Sequence, residues 1–171
     1  MRVIAGSARG RPLVAPTGAT TRPTLDRVRE AVFNALASLD VLEGATVLDL
    51  FAGSGALGIE ALSRGAAAAT FCDVDPAARR AVQANLTATG LGDRAVVLGT
   101  DALLHAAAAE AVDLAFCDPP HRFDRWEELF GVLRAGLVVV ESDRAVEPPE
   151  PWEVVRSKRY GGTVVSFVRQ R

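Results

Sequence analysis

The chain is short of most residues that would tie it to a metal, a membrane or an oxidising compartment. Its 171 residues include two cysteines, Cys72 and Cys117, and two histidines, His105 and His121. Two cysteines cannot build a disulfide framework, and no metal-ligand spacing surrounds them, so no bound metal is predicted. No apolar run approaches the ~18–20 residues of a membrane-spanning helix. The first residues, Met1-Arg2-Val3-Ile4-Ala5-Gly6, hold no long apolar stretch of the kind that directs export. These absences predict a cytoplasmic protein with no membrane partner. Lysine is nearly missing as well, with 18 arginines against one lysine. That bias reads as genomic base composition and says little about function.

What is present is a globular composition, with 49% apolar and 23% charged residues, and wholesale disorder is excluded. The length suits one domain of roughly 100–200 residues. Charge is unevenly spread around a net −2. Residues 1–30 carry six arginines against Asp26 and Glu30, and residues 152–171 carry five basic groups against Glu153. The middle holds 8 basic and 18 acidic groups. Basic ends around an acidic middle suggest two surfaces with different partners.

From residue 46 onward, short apolar β-branched runs alternate with helical segments. Strands are predicted at 46–52, 69–74, 95–100, 112–117 and 136–141, with helices near 56–64, 76–88, 101–109 and 124–134. The strands are apolar on both faces, the mark of a parallel sheet covered on both sides. Asp75 before Pro76 reads as a helix cap and first-turn proline. The alternation predicts a doubly wound, mostly parallel α/β sheet. Residues 152–159 and 163–169 add an antiparallel hairpin, which makes seven strands. At the other end, Arg2–Ala5 and Pro12–Ala15 flank a Gly6…Gly10 turn and read as a small hairpin. Thr24 is placed to cap a helix over 25–39. The expected layout is one domain over 1–171: an extension (1–24), a leading helix (25–39) and a core (46–171).

In open α/β sheets, ligands bind beyond the carboxyl ends of the strands. Acids lie at every such end: Asp49, Asp73, Asp101, Asp118, then Glu141 and Asp143. Gly53-Ser54-Gly55-Ala56-Leu57-Gly58 matches the dinucleotide fingerprint, with Asp73 about 20 residues on. A dinucleotide would bring a pyrophosphate to this row of acids. S-adenosylmethionine brings an ammonium, a sulfonium and hydroxyls, which carboxylates satisfy, and its one carboxylate suits the helix N-terminal amides. Asp118-Pro119-Pro120-His121 follows the fourth strand. Two prolines remove two donors, so the Asp118 carboxylate and the Pro119 carbonyl can face an incoming NH2 and aim its lone pair at a methyl group.

Asp49-Leu50-Phe51-Ala52-Gly53-Ser54-Gly55-Ala56-Leu57-Gly58 resembles the cofactor loop of class I methyltransferases. Together with Arg22-Pro23-Thr24-Leu25-Asp26-Arg27-Val28-Arg29-Glu30 and Asp118-Pro119-Pro120, the whole chain resembles the RsmD family. That resemblance implies a Rossmann-like enzyme that uses S-adenosylmethionine to methylate the N2 amine of a guanine in 16S ribosomal RNA. It implies that Asp49 and the stretch Phe51, Ala52, Gly53, Ser54 and Gly55, with Gly58, hold the methionine part of the cofactor. Asp73, next to Val74, would take the ribose hydroxyls, and Asp101 with the amide of Ala102 the adenine. Asp118 and Pro119 would hold the guanine amine, with Pro120 and His121 completing the motif. The position after the prolines is usually Phe or Tyr in this family, so His121 is a departure, and Phe123 is a candidate substitute for stacking. RNA contacts would fall to Arg9, Arg11, Arg22, Arg27 and Arg29. Helical spacing lets at most one of Arg27 and Arg29 point into the cleft. The implied partner is 16S ribosomal RNA or the small subunit, and the implied state a monomer. Three alternatives stay open: an adenine-N6 methyltransferase, an NAD(P)-dependent oxidoreductase and a non-catalytic RNA-binding module.

Overall fold

The computed structural model describes residues 1–19 and 23–171, the side chains of Pro23 and Thr24 excepted. Along the chain run α1 (Pro23–Ser38), β1 (Thr46–Asp49), α2 (Ala56–Ser63), β2 (Ala68–Cys72), α3 (Pro76–Thr89) and β3 (Ala95–Leu98). Then come α4 (Ala102–Ala108), β4 (Val112–Cys117), α5 (Trp126–Val132), β5 (Ala135–Ser142), β6 (Trp152–Tyr160) and β7 (Thr163–Gln170). The strands form one seven-stranded sheet in the order β3-β2-β1-β4-β5-β7-β6. β1 to β5 are mutually parallel, and β7 runs antiparallel to β5 and β6.

Burial on both faces explains the unbroken apolar runs. Val47, Phe71, Leu114, Phe116, Val139 and Phe167 pack beneath Val32, Phe33 and Leu36 of α1, Ile59 and Leu62 of α2, and Val82 of α3. Their strand neighbours Leu48, Cys72, Ala115, Cys117, Val138 and Val140 face Leu103 and Ala106 of α4 and Leu129 and Phe130 of α5. Alternate residues of each strand thus serve opposite layers, and each large side chain removed from water contributes roughly 1.5–3 kcal/mol. Both cysteines lie inside these layers. Burial raises the Cys72 thiol to about 12 and that of Cys117 further, which leaves both inert.

Asp75 caps α3 by accepting from the Ala77 amide at 2.9 Å, with Pro76 in the first turn. The leading helix starts earlier than expected. It begins at Pro23, so Thr24 lies inside its first turn rather than before it. The predicted N-terminal hairpin is reduced to a single antiparallel bridge, Arg2 with Pro12. The physical reason is competition for donors. The amide of Ala5, which the next rung of a ladder would use, donates to the Glu60 carboxylate at 3.0 Å, beside that of Ile4 at 2.8 Å.

Glu60 is fully buried on α2 and also accepts from Arg64 Nε at 2.8 Å. One turn on, Ser63 Oγ donates to the Ala5 carbonyl at 2.6 Å and accepts from the Ala8 amide at 3.0 Å. Gly6 rests on Ser63 so closely that a Cβ there would lie 1.9 Å from the Ser63 carbonyl oxygen, and its φ of +85° favours glycine. The N-terminal segment is therefore sewn to α2 by polar side chains. Glu60→Ala, which strands Arg64 and two amides, is expected to cost about 3–5 kcal/mol in urea unfolding. Faster tryptic cleavage after Arg9 should accompany it.

Candidate active site

The strand order puts β1 and β4 side by side at the centre of the sheet, with Asp49 opposite Phe116. The chain turns away beyond their carboxyl ends. The β1 turn carries Gly53 and Gly55, with φ values of +56° and +79°, and delivers Gly55 as the first residue of α2's cap. Gly58 makes a close approach, since a Cβ there would lie 2.4 Å from the Phe71 ring. Asparagine Asn85 on α3 closes the turn from below, donating to Ser54 O at 2.8 Å and exchanging two hydrogen bonds with the Val14 backbone. It links the N-terminal segment to the turn. Only its tertiary contacts reveal that role.

Three clefts meet at this end of the sheet. One is lined by Phe51, Gly53, Asp73, Val74, Asp101, Ala102 and Phe123. A second holds Phe51, Ala52, Gly53, Ser54, Arg29, Asp118 and Glu141. The third holds Pro119, Pro120, His121, Trp126, Glu141 and the β6–β7 turn residues Gly162 and Thr163, again with Asp118. Among the described residues, Asp118 alone lines all three. Of the residues expected to meet a cofactor, Phe51, Ala52, Gly53, Ser54, Asp73, Val74, Asp101 and Ala102 reach these surfaces. Asp49, Gly55 and Gly58 line none of the clefts.

Three of the acids, Asp49, Asp73 and Asp101, are already engaged with the backbone. Asp49 is buried and accepts from the Gly58 amide at 3.1 Å. Asp73 accepts from the Gly53 and Asp75 amides, one on each oxygen, at 2.9 Å. Asp101 caps α4 through a single oxygen, Oδ1, to the Leu103 and Leu104 amides. Its Oδ2 accepts no hydrogen bond among the described residues. Carboxylate oxygens keep further lone pairs for a ligand. The first-turn amides of α2 are less free than the glycine pattern suggests: Ala56 donates to Ser54 Oγ and Gly58 to Asp49.

Desolvation raises Asp49 to about 7, and Asp118 and Asp73 push it the same way. Asp118 lies open to the cleft but is walled by protein, and burial raises it to about 6 against the pull of His121. Glu141, near the end of β5, is pushed to about 8 by burial and by Asp118 and Asp49, with Arg29 opposing. Three carboxyls, Asp49 and Glu141 buried and Asp118 open to the cleft, thus act on one another at this end of the sheet, which favours a cation there.

Two arginines from neighbouring segments come close to these strand ends. Arg125 lines the first cleft, although Glu128 pairs with it at 2.7 Å, and Arg79 donates to the Asp73 and Val74 carbonyls at 3.0 Å. Arg29 is not an RNA-facing residue, contrary to the expectation from sequence. It is 5% exposed and bonds the Arg2 carbonyl and Asp26, because its position on α1 turns it into the molecule. Arg27, Arg9 and Arg11 are exposed. Arg22 lies outside the described residues. His121 is exposed, while Phe123 is wedged edge-on between Phe51 and Trp126 at ring distances of 5.3 and 4.9 Å.

A sheet of this order, with a glycine turn after β1 and an Asp-Pro-Pro segment after β4, is the architecture of class I methyltransferases. Comparison with known proteins places the chain within that class. It belongs to the RsmD family, whose model, described as conserved hypothetical protein 95, matches residues 1–169. It is 40% identical to YlbH of Bacillus subtilis over 185 residues, covering all of both chains. It is 39% identical to the ribosomal RNA small subunit methyltransferase D of Escherichia coli, covering 94% of this chain and 85% of that one. The solved structure of Escherichia coli yhhF superposes with a TM-score of 0.87 at 37% identity, covering 100% and 98% of the two chains.

Ionising Asp49 costs the free protein stability. The cost is absent well below its ordinary value of 3.8, grows as pH rises, and is complete above about 7. Asp49→Asn is therefore expected to stabilise the ligand-free protein by about 1–3 kcal/mol at pH 8. Urea unfolding should show less than half of that gain at pH 5.

Proposed function

We propose that this chain transfers a methyl group from S-adenosylmethionine to the N2 amine of a guanine in small-subunit ribosomal RNA. The observation that carries the reading is the place of Asp118, where the three clefts meet. Asp118 and the Pro119 carbonyl accept no hydrogen bond among the described residues, whereas the Pro120 carbonyl is spent on the Phe123 amide at 2.9 Å. Two free acceptors side by side suit the two N–H groups of an exocyclic amine. Relatives carrying the name ribosomal RNA small subunit methyltransferase D support the RNA class.

When bound, S-adenosylmethionine supplies a methyl group on a sulfonium. The crowded carboxyls favour that positive charge and disfavour a pyrophosphate, which argues against a nicotinamide dinucleotide. Asp73 and the free oxygen of Asp101 offer acceptors for the ribose hydroxyls and the adenine amine, with Val74 and Ala102 alongside. Asp118 and Pro119 hold the acceptor amine so that its lone pair faces the methyl. The N–C bond would form as the sulfonium S–CH3 bond breaks, its electron pair leaving with a neutral thioether, and one amine proton would pass to the Asp118 carboxylate and on to solvent, leaving a neutral secondary amine. An acid near 6 is ionised at neutral pH and so is fit to accept it.

His121, exposed beside the third cleft, offers a small stacking face. Exposed Arg9, Arg11 and Arg27, together with Arg22, supply phosphate contacts that position the RNA without reading its sequence. The layout we adopt is a single cytoplasmic domain acting as a monomer, with the N-terminal extension on the RNA side.

Asp118→Ala is expected to lower methyl transfer at least about a hundredfold while calorimetry shows cofactor affinity changed less than threefold. Transfer by the native enzyme should fall as pH drops through about 6. Digestion of methylated RNA should yield N2-methylguanosine. N6-methyladenosine, or wild-type turnover by the variant, would refute the assignment.

A further inference from the structure

Glu141 is assigned no contact with cofactor or base above, yet it and Asp118 line the same two clefts. It is 8% exposed and accepts no hydrogen bond among the described residues. Its oxygens are also absent from the fully enclosed unpaired atoms, which belong to Arg29 alone among the described residues. A carboxyl that is nine-tenths buried, unpartnered and still in touch with the cleft faces whatever occupies it. Among the described residues Arg29 is the one cation that bears on it, but its Nη2 goes to the Arg2 carbonyl and Asp26, and its Nε and Nη1, though unpartnered, make no ion pair with Glu141. Glu141 is therefore not held as the counter-charge of an ion pair.

On the reading that the acceptor is a guanine amine, we infer that Glu141 is a specificity residue that accepts the ring N1–H next to that amine. Guanine presents a continuous donor edge, the two N2 hydrogens followed by N1–H. Asp118 and the Pro119 carbonyl take the first two, which leaves one donor for one more acceptor. Glu141 enters from β5, the strand beside β4, at the boundary of the cleft that Pro119 lines. A base with a lone pair at the neighbouring ring nitrogen would set that lone pair against a carboxylate. Sites built to satisfy a buried hydrogen bond reject analogues that lack it far more strongly than apolar pockets reject a missing methylene. The group thereby separates guanine from 2-aminopurine, which keeps the same amine but has an acceptor at N1.

The test uses small-subunit particles reconstituted with ribosomal RNA that carries guanine or 2-aminopurine at the methylated position. Assays are run at pH 8.5, where the carboxyl is ionised despite Asp118 and Asp49, since burial and those neighbours hold it at about 8. Wild-type enzyme is expected to use guanine about a hundredfold better. Glu141→Gln, whose amide can turn to donate, should shrink that ratio at least tenfold through faster use of 2-aminopurine. The two bases differ in intrinsic reactivity, and comparing variant with wild type on both cancels that difference. An unchanged ratio in Glu141→Gln, or equal use of both bases by the wild type, overturns the inference. Absence of N2-methylguanosine from wild-type reactions would instead mark failure of the guanine reading itself. Calorimetric cofactor affinity within threefold of wild type shows that the variant is folded. If it is not, Glu141→Asp decides: a tenfold loss on guanine with cofactor affinity kept supports the role, and wild-type rates overturn it.

Discussion

The ladder between β1 and β4 sets two carboxylates next to each other at the same end of a covered sheet. Asp49 closes β1 and Asp118 follows β4, and neither can move apart without breaking central strand pairing. Glu141 joins them from β5. Each raises the proton affinity of a neighbour, and burial raises all three further. The surrounding core and single hydrogen bonds such as Gly58 to Asp49 hold this floor together against its own charge. The glycine turn, the α2 cap and the three clefts are consequences of where those two strands stop.

A second set of polar contacts joins the periphery to that floor. Glu60 and Ser63 hold the N-terminal segment against α2, and Asn85 holds both Val14 and Ser54. The segment proposed to meet RNA and the turn proposed to meet the cofactor therefore share one buried asparagine. A chain that began without such anchors would have its basic residues on a loose tail. Here Arg9 and Arg11 stand on a fixed edge instead.

Much of this was legible in the residues. Element order and type followed from burial on both strand faces and from helical spacing between strands, and the expected spans of α3 and β4 agree closely with the structure. The end of β1 did not, because Leu50 and Ala52 keep single ladder bonds, to Phe116 and Cys72, while the chain already turns away. Asp73, Asp101 and Asp118 could be located because a strand's end is visible as the last apolar residue. The roles of Glu60, Asn85 and Glu141 could not. Each looks like any polar residue within an element, and its partners lie in other elements or across the sheet. Arg29 was misread for the same reason, since spacing shows that Arg27 and Arg29 diverge but not which of them turns inward.

The amino-acid sequence alone determined the alternation of strands and helices, the glycine turn, the Asp-Pro-Pro segment and the family, because each is written in contiguous residues with short-range physics. Tertiary structure decided which strands adjoin, and hence which acids act on one another at the open end of the sheet, which arginines remain exposed and which carboxyls are left without a partner. Those are properties of distance between remote segments, and local preference carries no record of distance.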